Sequence, residues 1–198
     1  MKKIILTALA VFAFSFANAQ ETKFGAKVAL NIASLTGDME NSSSLVGFQI
    51  GGFAEIKISE KFAIQPELLY SAQGGKESYI EEGDEVEVLA KLGYINIPIM
   101  AKYYVAKSFS LEVGPQIGFL TSAKAEIKAG GESLEVDLKD NFNSVDFGLN
   151  LGAGYDFTEK LSAGLRYNLG LANIAKTEAG DDSELQNSVF SISVGYKF

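Results

Sequence analysis

Eight segments of the chain alternate apolar with small or polar residues at period two, the pattern of a strand that buries one face and shows the other to a different solvent. The first runs from Phe24 through Ala26, Val28 and Leu30 to Ile32. The second presents Val46, Phe48, Ile50, Ala54, Ile56 and Ile58, and the third Phe62, Ile64, Leu68 and Tyr70. Ile95, Ile97, Ile99, Ala101 and Tyr103 mark the fourth; Phe109, Leu111, Val113, Ile117 and Phe119 mark the fifth. The sixth carries Val145, Phe147, Leu149, Leu151, Ala153, Tyr155 and Phe157, the seventh Leu161, Ala163, Leu165, Tyr167, Leu169 and Leu171, and the eighth runs from Phe190 to Phe198.

The connectors alternate in length. Ser59-Glu60-Lys61, Ala106-Lys107-Ser108 and Thr158-Glu159-Lys160 are short, while 33–45, 74–89, 121–144 and 175–187 are long. All the short turns therefore fall on one rim. A ten-residue strand rising about 3.3 Å per residue and tilted by roughly 40° covers about 25 Å, the height of the apolar band of an outer-membrane barrel. The expected fold is all-β: an eight-stranded antiparallel up-and-down transmembrane β-barrel with short periplasmic turns and long extracellular loops. Across three-residue turns 58 faces 62, 105 faces 109 and 157 faces 161, so apolar residues meet apolar residues each time, whereas two-residue turns would set every partner on the wrong face. Within 121–144, Ala125, Ile127 and Ala129 alternate before Gly130-Gly131, and Leu134, Val136 and Leu138 after it, which predicts a hairpin extending the neighbouring strands beyond the membrane.

The strand faces opposite the apolar ones carry Lys27, Lys57, Lys102, Arg166 and Lys197 against Glu55, Glu67, Glu112, Asp146 and Asp156, among Gly, Ser, Asn and Gln. Long charged residues would dominate the water-exposed outside of a soluble barrel. The many short residues predict instead a crowded polar lumen, in which buried charges are paired. Aromatic residues sort into two belts: Phe24, Phe62, Tyr103, Phe109, Phe157 and Phe198 near the short-turn rim, and Phe48, Tyr70, Phe119, Phe147 and Phe190 nearer the other. Pro66, Pro98 and Pro115 lie inside predicted strands, where each removes a ladder hydrogen bond, so bulges or gaps are expected there.

At the start of the chain, Lys2 and Lys3 precede an apolar run from Ile4 to Phe16 and then Ala17-Asn18-Ala19, the order of a secretory signal peptide cleaved between Ala19 and Gln20. That run is too short for a membrane-spanning helix, which needs about 20 residues. The expected organisation is a signal peptide at 1–19 and a barrel domain at 20–198. Without residues 1–19 the chain holds 15 basic and 25 acidic residues, net −10; the four long segments carry −12 and the remainder +2. No basic cluster suits nucleic acid. The acidic loops, with the run Glu81, Glu82, Asp84, Glu85 and Glu87, are expected to be extracellular and to meet protein partners.

Histidine, cysteine and tryptophan are absent, which excludes His- and Cys-dependent hydrolysis and His-based zinc sites, so no catalysis and no cofactor are expected. Gly74-Gly75-Lys76 lacks the leading glycine and the Ser or Thr of a phosphate loop and reads as a loop tip. Gly152-Ala-Gly154 reads as strand positions leaving room for a large neighbour, with Gly152 opposite Arg166.

Two resemblances sharpen this reading. The last strand, with Phe190, Ile192, Val194, Tyr196 and Phe198 on one face, resembles the terminal strand by which the barrel assembly machinery recognises outer-membrane barrels, so those residues are expected to act as an assembly signal. The segments Gln65-Pro-Glu-Leu-Leu-Tyr-Ser71, Tyr94-Ile-Asn-Ile-Pro98, Gly114-Pro115 with Gly118, Asp146-Phe-Gly148 with Gly152-Ala-Gly-Tyr155, and Arg166-Tyr-Asn-Leu-Gly-Leu-Ala-Asn-Ile174 resemble the PorT-like outer-membrane β-barrel family of Bacteroidota, eight-stranded barrels of the OmpA/OmpX kind. The resemblance covers nearly the whole predicted barrel. It implies insertion in outer-membrane lipid and a structural or partner-binding role, with membership of the type IX secretion and gliding machinery as the alternative; a narrow channel or membrane enzyme fits less well.

Overall fold

The structure, a computed structural model, describes residues 21–38, 43–81, 84–129, 132–177 and 183–198. The expected signal peptide and its Ala19–Gln20 cleavage point lie outside these. Nine strands form one antiparallel sheet: β1 (Thr22–Gly37), β2 (Ser43–Lys57), β3 (Phe62–Glu81), β4 (Asp84–Ala106), β5 (Phe109–Ala129), β6 (Glu132–Asp137), β7 (Val145–Asp156), β8 (Leu161–Gly170) and β9 (Leu185–Lys197). Eight of them close into an up-and-down ring, in which each pairs with its chain neighbour except that β7 follows β5 and β1 pairs with β9. β6 stands outside the ring and pairs only with the far end of β5. Each of the eight predicted strands coincides with a ring strand, with Ile58, Phe157, Leu171 and Phe198 lying one residue past its end.

The turn registers test the parity argument. Lys57 pairs with Ala63 and Asp156 with Ser162, and the Ile58 and Phe157 amides donate to the carbonyls of Phe62 and Leu161 at 2.9 Å, as expected for three-residue turns. The third turn differs. Ala106 pairs with Phe109 across Lys107-Ser108, and the register shifts between Tyr104 and Ala106, so 105 does not face 109. An extra residue at Val105 offsets the shorter turn, and the strand recovers the expected pairing by Lys102 and Glu112. The prolines sit in gaps in the ladder. Pro66↔Ile99 and Leu69↔Asn96 keep one register, as do Pro98↔Gln116 and Ala101↔Val113, so the missing N–H groups are accommodated without a slip.

Among its described residues, the 74–89 segment is strand rather than loop. β3 and β4 stay paired from Gly74↔Lys91 to Glu81↔Asp84, so Gly74-Gly75-Lys76 is not a loop tip but lies inside β3. Gly74 has φ 140, and a Cβ there would lie 1.8 Å from the Ala90 carbonyl oxygen, so only glycine permits this pairing. The predicted β5–β6 hairpin forms with Ala125↔Val136 and Ile127↔Leu134, but β6 does not continue into β7; a 3-10 turn at Lys139–Asn141 intervenes. Strands β3 to β6 thus rise past the ring as a four-stranded blade.

The ring's outer surface is apolar. Phe24, Val28, Leu30, Phe48, Ile50, Leu68, Ile99, Leu111, Val113, Leu151, Leu165, Ile192 and Val194 are all exposed, the arrangement of a lipid-facing band. Rings meet at both rims of that band: Tyr155–Phe157 and Tyr196–Phe198, with centroids 5.1 and 5.9 Å apart, at the short-turn end, and Phe48–Tyr70 at 5.9 Å at the other. The Phe198 amide donates to the Phe24 carbonyl, so the final residue helps close the ring.

Inside, Phe53 is buried and lies across Gly25, where a Cβ would be 2.3 Å from its Cζ and 2.6 Å from the Tyr196 carbonyl oxygen. Gly25→Ala should therefore destabilise the folded barrel by about 1–3 kcal/mol, and by less when Phe53 is shortened to Leu. Urea midpoints of the lipid-folded barrel measure this, and strictly additive costs would contradict the contact.

Candidate functional site

Closing eight strands leaves an interior just wide enough for side chains. Eight of the ten charges expected in the lumen join in one chain of contacts. The Lys27 ammonium lies 2.6 Å from Glu67, which also accepts a two-pronged contact from the Arg166 guanidinium at 2.8 and 2.9 Å. Arg166 reaches Glu112 at 3.1 Å, and Glu112 lies 3.4 Å from Lys102. Lys102 donates to Glu55 at 2.9 Å and to Gln65 at 3.1 Å, Glu55 also accepts from Lys197, and Lys197 donates to Asp156 at 3.1 Å. Four cations face four anions. Phe53 and Tyr104 add ring faces 5.6 Å from the Lys27 and Lys102 ammonium groups.

Two predicted members stand apart. Lys57 emerges at the short-turn rim, half-exposed, with only Glu21 near it at 3.9 Å, because it is the last residue of β2 and points past the end of the ring. Asp146 is buried at the opposite end without a cation, and its carboxylate accepts from Asn187 at 2.8 Å. Lys102 and Glu112 are cross-strand partners on the lumen face, but the shorter contact of Lys102 is to Glu55.

Beyond the charges lies a layer of amides and hydroxyls. Asn31 donates to Ser71 and the Ala72 carbonyl, Ser191 donates to Asn31, and Asn168, Asn150 and Gln116 form a second chain. Among the described residues, the voids beside these layers are water-sized, about 20 Å³ at Arg166 and about 10 Å³ at Asn150. The next layer is apolar: Leu35, Leu92, Tyr94, Leu120, Ala123, Phe142 and Ile174 pack into a lid across the mouth. Asn143 fastens it by donating to the carbonyls of Asn173 and Ala175 at 2.9 Å, while Asn173 accepts from the amides of Ala175 and Leu185. Sequence reading missed this lid because Phe142 and Ile174 lie outside any alternating segment. At the short-turn end, in contrast, a cavity of about 390 Å³ opens between Glu55, Asp156 and Lys197 and the rim.

The blade reverses the pattern of the ring. At Gly93 and Tyr94 the β4–β5 register shifts by one, with Leu120 opposite Tyr94 and Ser122 opposite Gly93. Up to that shift the outward face of β5 is Phe109, Leu111, Val113, Ile117 and Phe119; beyond it the outward positions are Lys124, Glu126 and Lys128. There Glu87 contacts Lys76 and Lys128, Glu126 contacts Lys91 at 2.5 Å, and Lys124 contacts Glu135, with Leu89 buried among them. The Lys76 ammonium holds the Glu87 carboxyl below its ordinary range, Lys91 does the same for Glu126, and Glu135 pushes the Lys124 ammonium up. The inward face carries Val86, Val88, Ala90, Ala125, Ile127, Leu134 and Val136, continuous with the lid at its base, together with Glu77, Tyr79 and Glu132, and Leu134 is 62% and Val136 41% exposed higher up.

An apolar outer band, aromatic rims and a packed, charge-balanced interior define an integral membrane β-barrel of the bacterial outer-membrane type. The profile of the family described as outer membrane protein beta-barrel domain matches residues 16–176, and the chain belongs to that family. Among solved structures it is similar to Neisserial surface protein A, at 15% identity over 91% of this chain and 100% of that one with TM-score 0.52, a likeness of fold. It is also similar to Ail, the attachment invasion locus protein of Yersinia pestis, at 11% identity over 90% and 99% with TM-score 0.47. No match was found among the curated proteins.

The Lys102 hub makes a graded prediction. Lys102→Met should cost about 3–5 kcal/mol, because it takes a cation from two buried carboxylates; Glu112→Gln should cost about 1.5–3 kcal/mol, because Lys102 keeps Glu55 and Gln65. The double variant restores neutrality and should cost less than the sum. A double-mutant cycle on the refolded barrel measures the coupling, and zero coupling would contradict the network.

Proposed function

We propose that the protein is a non-catalytic outer-membrane barrel whose extracellular blade docks a protein partner through the exposed apolar patch at Leu134 and Val136 on its inner face. One observation carries this reading: Leu134 and Val136 form an exposed apolar patch on the blade's inner face, continuous with Val86, Val88 and Ile127, whereas its outer face is closed by its own ion pairs. The filled lumen supports the same reading, since a barrel with only water-sized voids acts through its ends rather than by conduction. The net charge of −5 carried by residues 74–89 favours a partner with a basic rim around an apolar patch.

A second reading, a subunit of the type IX secretion and gliding machinery, rests on the motif resemblance from Gln65 to Ile174. In it the docked partner is another secretion component. Loss of secreted cargo on deletion of the chain, with other outer-membrane barrels unaffected, separates it from a stand-alone role.

The docking reading is tested with a photo-crosslinking residue placed singly at Leu134 on the inner face, at Glu135 on the outer face and at Leu111 in the lipid band. In intact cells Leu134 should yield a discrete protein adduct and Leu111 none. Adducts absent at Leu134, or equal at all three positions, would contradict it.

A further inference from the structure

The three short turns each carry one lysine, Lys61, Lys107 and Lys160, and all three are exposed. Among the described residues none of them has an ion pair or a side-chain hydrogen bond. That sets them apart from the lysines of the lumen and of the blade. Lys27, Lys102 and Lys197 are each held by lumen carboxylates, and Lys76, Lys91, Lys124 and Lys128 by carboxylates of the blade. Glu60 and Glu159 share the turns with Lys61 and Lys160 but contact neither, and Glu21 is taken by Lys23 and Lys57. Five lysines thus stand against three glutamates on this rim. Since the lumen network is neutral, the +2 that the chain carries outside its acidic long segments is concentrated here.

Height matters as much as charge. Lys61 directly precedes Phe62, Lys107 lies two residues before Phe109, and Lys160 stands between Phe157 and Leu161, all residues of the rim of the apolar band. Aromatic belts mark the headgroup level of a bilayer, and a lysine stem one to three residues further out carries its ammonium to the phosphates. We propose that this ring of turn lysines binds the phosphates of anionic lipid headgroups in the leaflet facing the short turns, the periplasmic one, and so fixes the depth of the barrel. At the opposite rim the blade's lysines are already neutralised by Glu87, Glu126 and Glu135, Lys176 donates to the Asp140 carbonyl, and among the described residues Lys139 alone is left unpaired.

The test uses the whole barrel reconstituted in phosphatidylcholine vesicles with trace spin-labelled phosphatidylglycerol or spin-labelled phosphatidylcholine, reading the motionally restricted lipid fraction. Wild type should prefer phosphatidylglycerol, by roughly fivefold for each lysine that engages a headgroup, and high salt should remove the preference. The K61Q/K107Q/K160Q variant should lose it, the corresponding triple arginine variant should keep it, and K91Q/K124Q/K128Q should keep it too. Heat-modifiable migration on gels confirms that each variant is folded. Equal association of the two lipids with wild type overturns the proposal, as does a preference that survives in K61Q/K107Q/K160Q. Competition by inorganic phosphate at matched ionic strength would mark a free-phosphate site and overturns it as well.

Discussion

Hydrocarbon offers no partner for a peptide N–H or C=O, so a sheet in a membrane must pair every strand edge with another of its own. Here that requirement is met by β1 and β9, which pair without interruption from Gly25↔Lys197 to Gly37↔Leu185. Everything else follows from closing at eight strands. The interior becomes too narrow for a water column and too wide to be left empty, so it is filled with side chains. Those side chains are shielded from water by the wall they stand on. The eight charges of the network persist because each of its four carboxylates has a cation within contact distance and the network is neutral.

The filling is ordered along the axis. Charges occupy the half nearer the short turns, where the cavity beside Lys197 admits water; amides and hydroxyls come next; an apolar lid closes the far mouth. This order explains the blade. Once the strands pass Gly93 and Thr121 they leave the lipid, and water now lies outside them while the lid lies inside, so the two faces exchange polarity. The one-residue register shift at that level helps the exchange, because it turns the remaining residues of β5 to the other face relative to those before it.

How much of this was legible beforehand depends on the kind of residue. Strand positions and the lipid-facing set were readable because period two in Leu111, Val113 and their counterparts has no other explanation at that length. Eight of the ten lumen charges were readable by the same parity. Lys57 and Asp146 were not, because parity gives a face but not a height along the axis, and both lie at the ends. The blade was only half visible: Ala125 to Val136 alternate, but 76–89 is so acidic that it resembles a loop, although its Lys76 and Glu87 pair on the outer face of a hairpin in water. The lid residues Phe142 and Ile174 had no local signal, since long-range packing alone places them.

The central claim is that the lumen is filled, so that the barrel acts through its two ends. Single-channel recording of the refolded barrel in planar bilayers tests this most directly. The account predicts no discrete conductance at any moderate voltage, with insertion verified independently. Reproducible unitary openings of the wild-type barrel would contradict it.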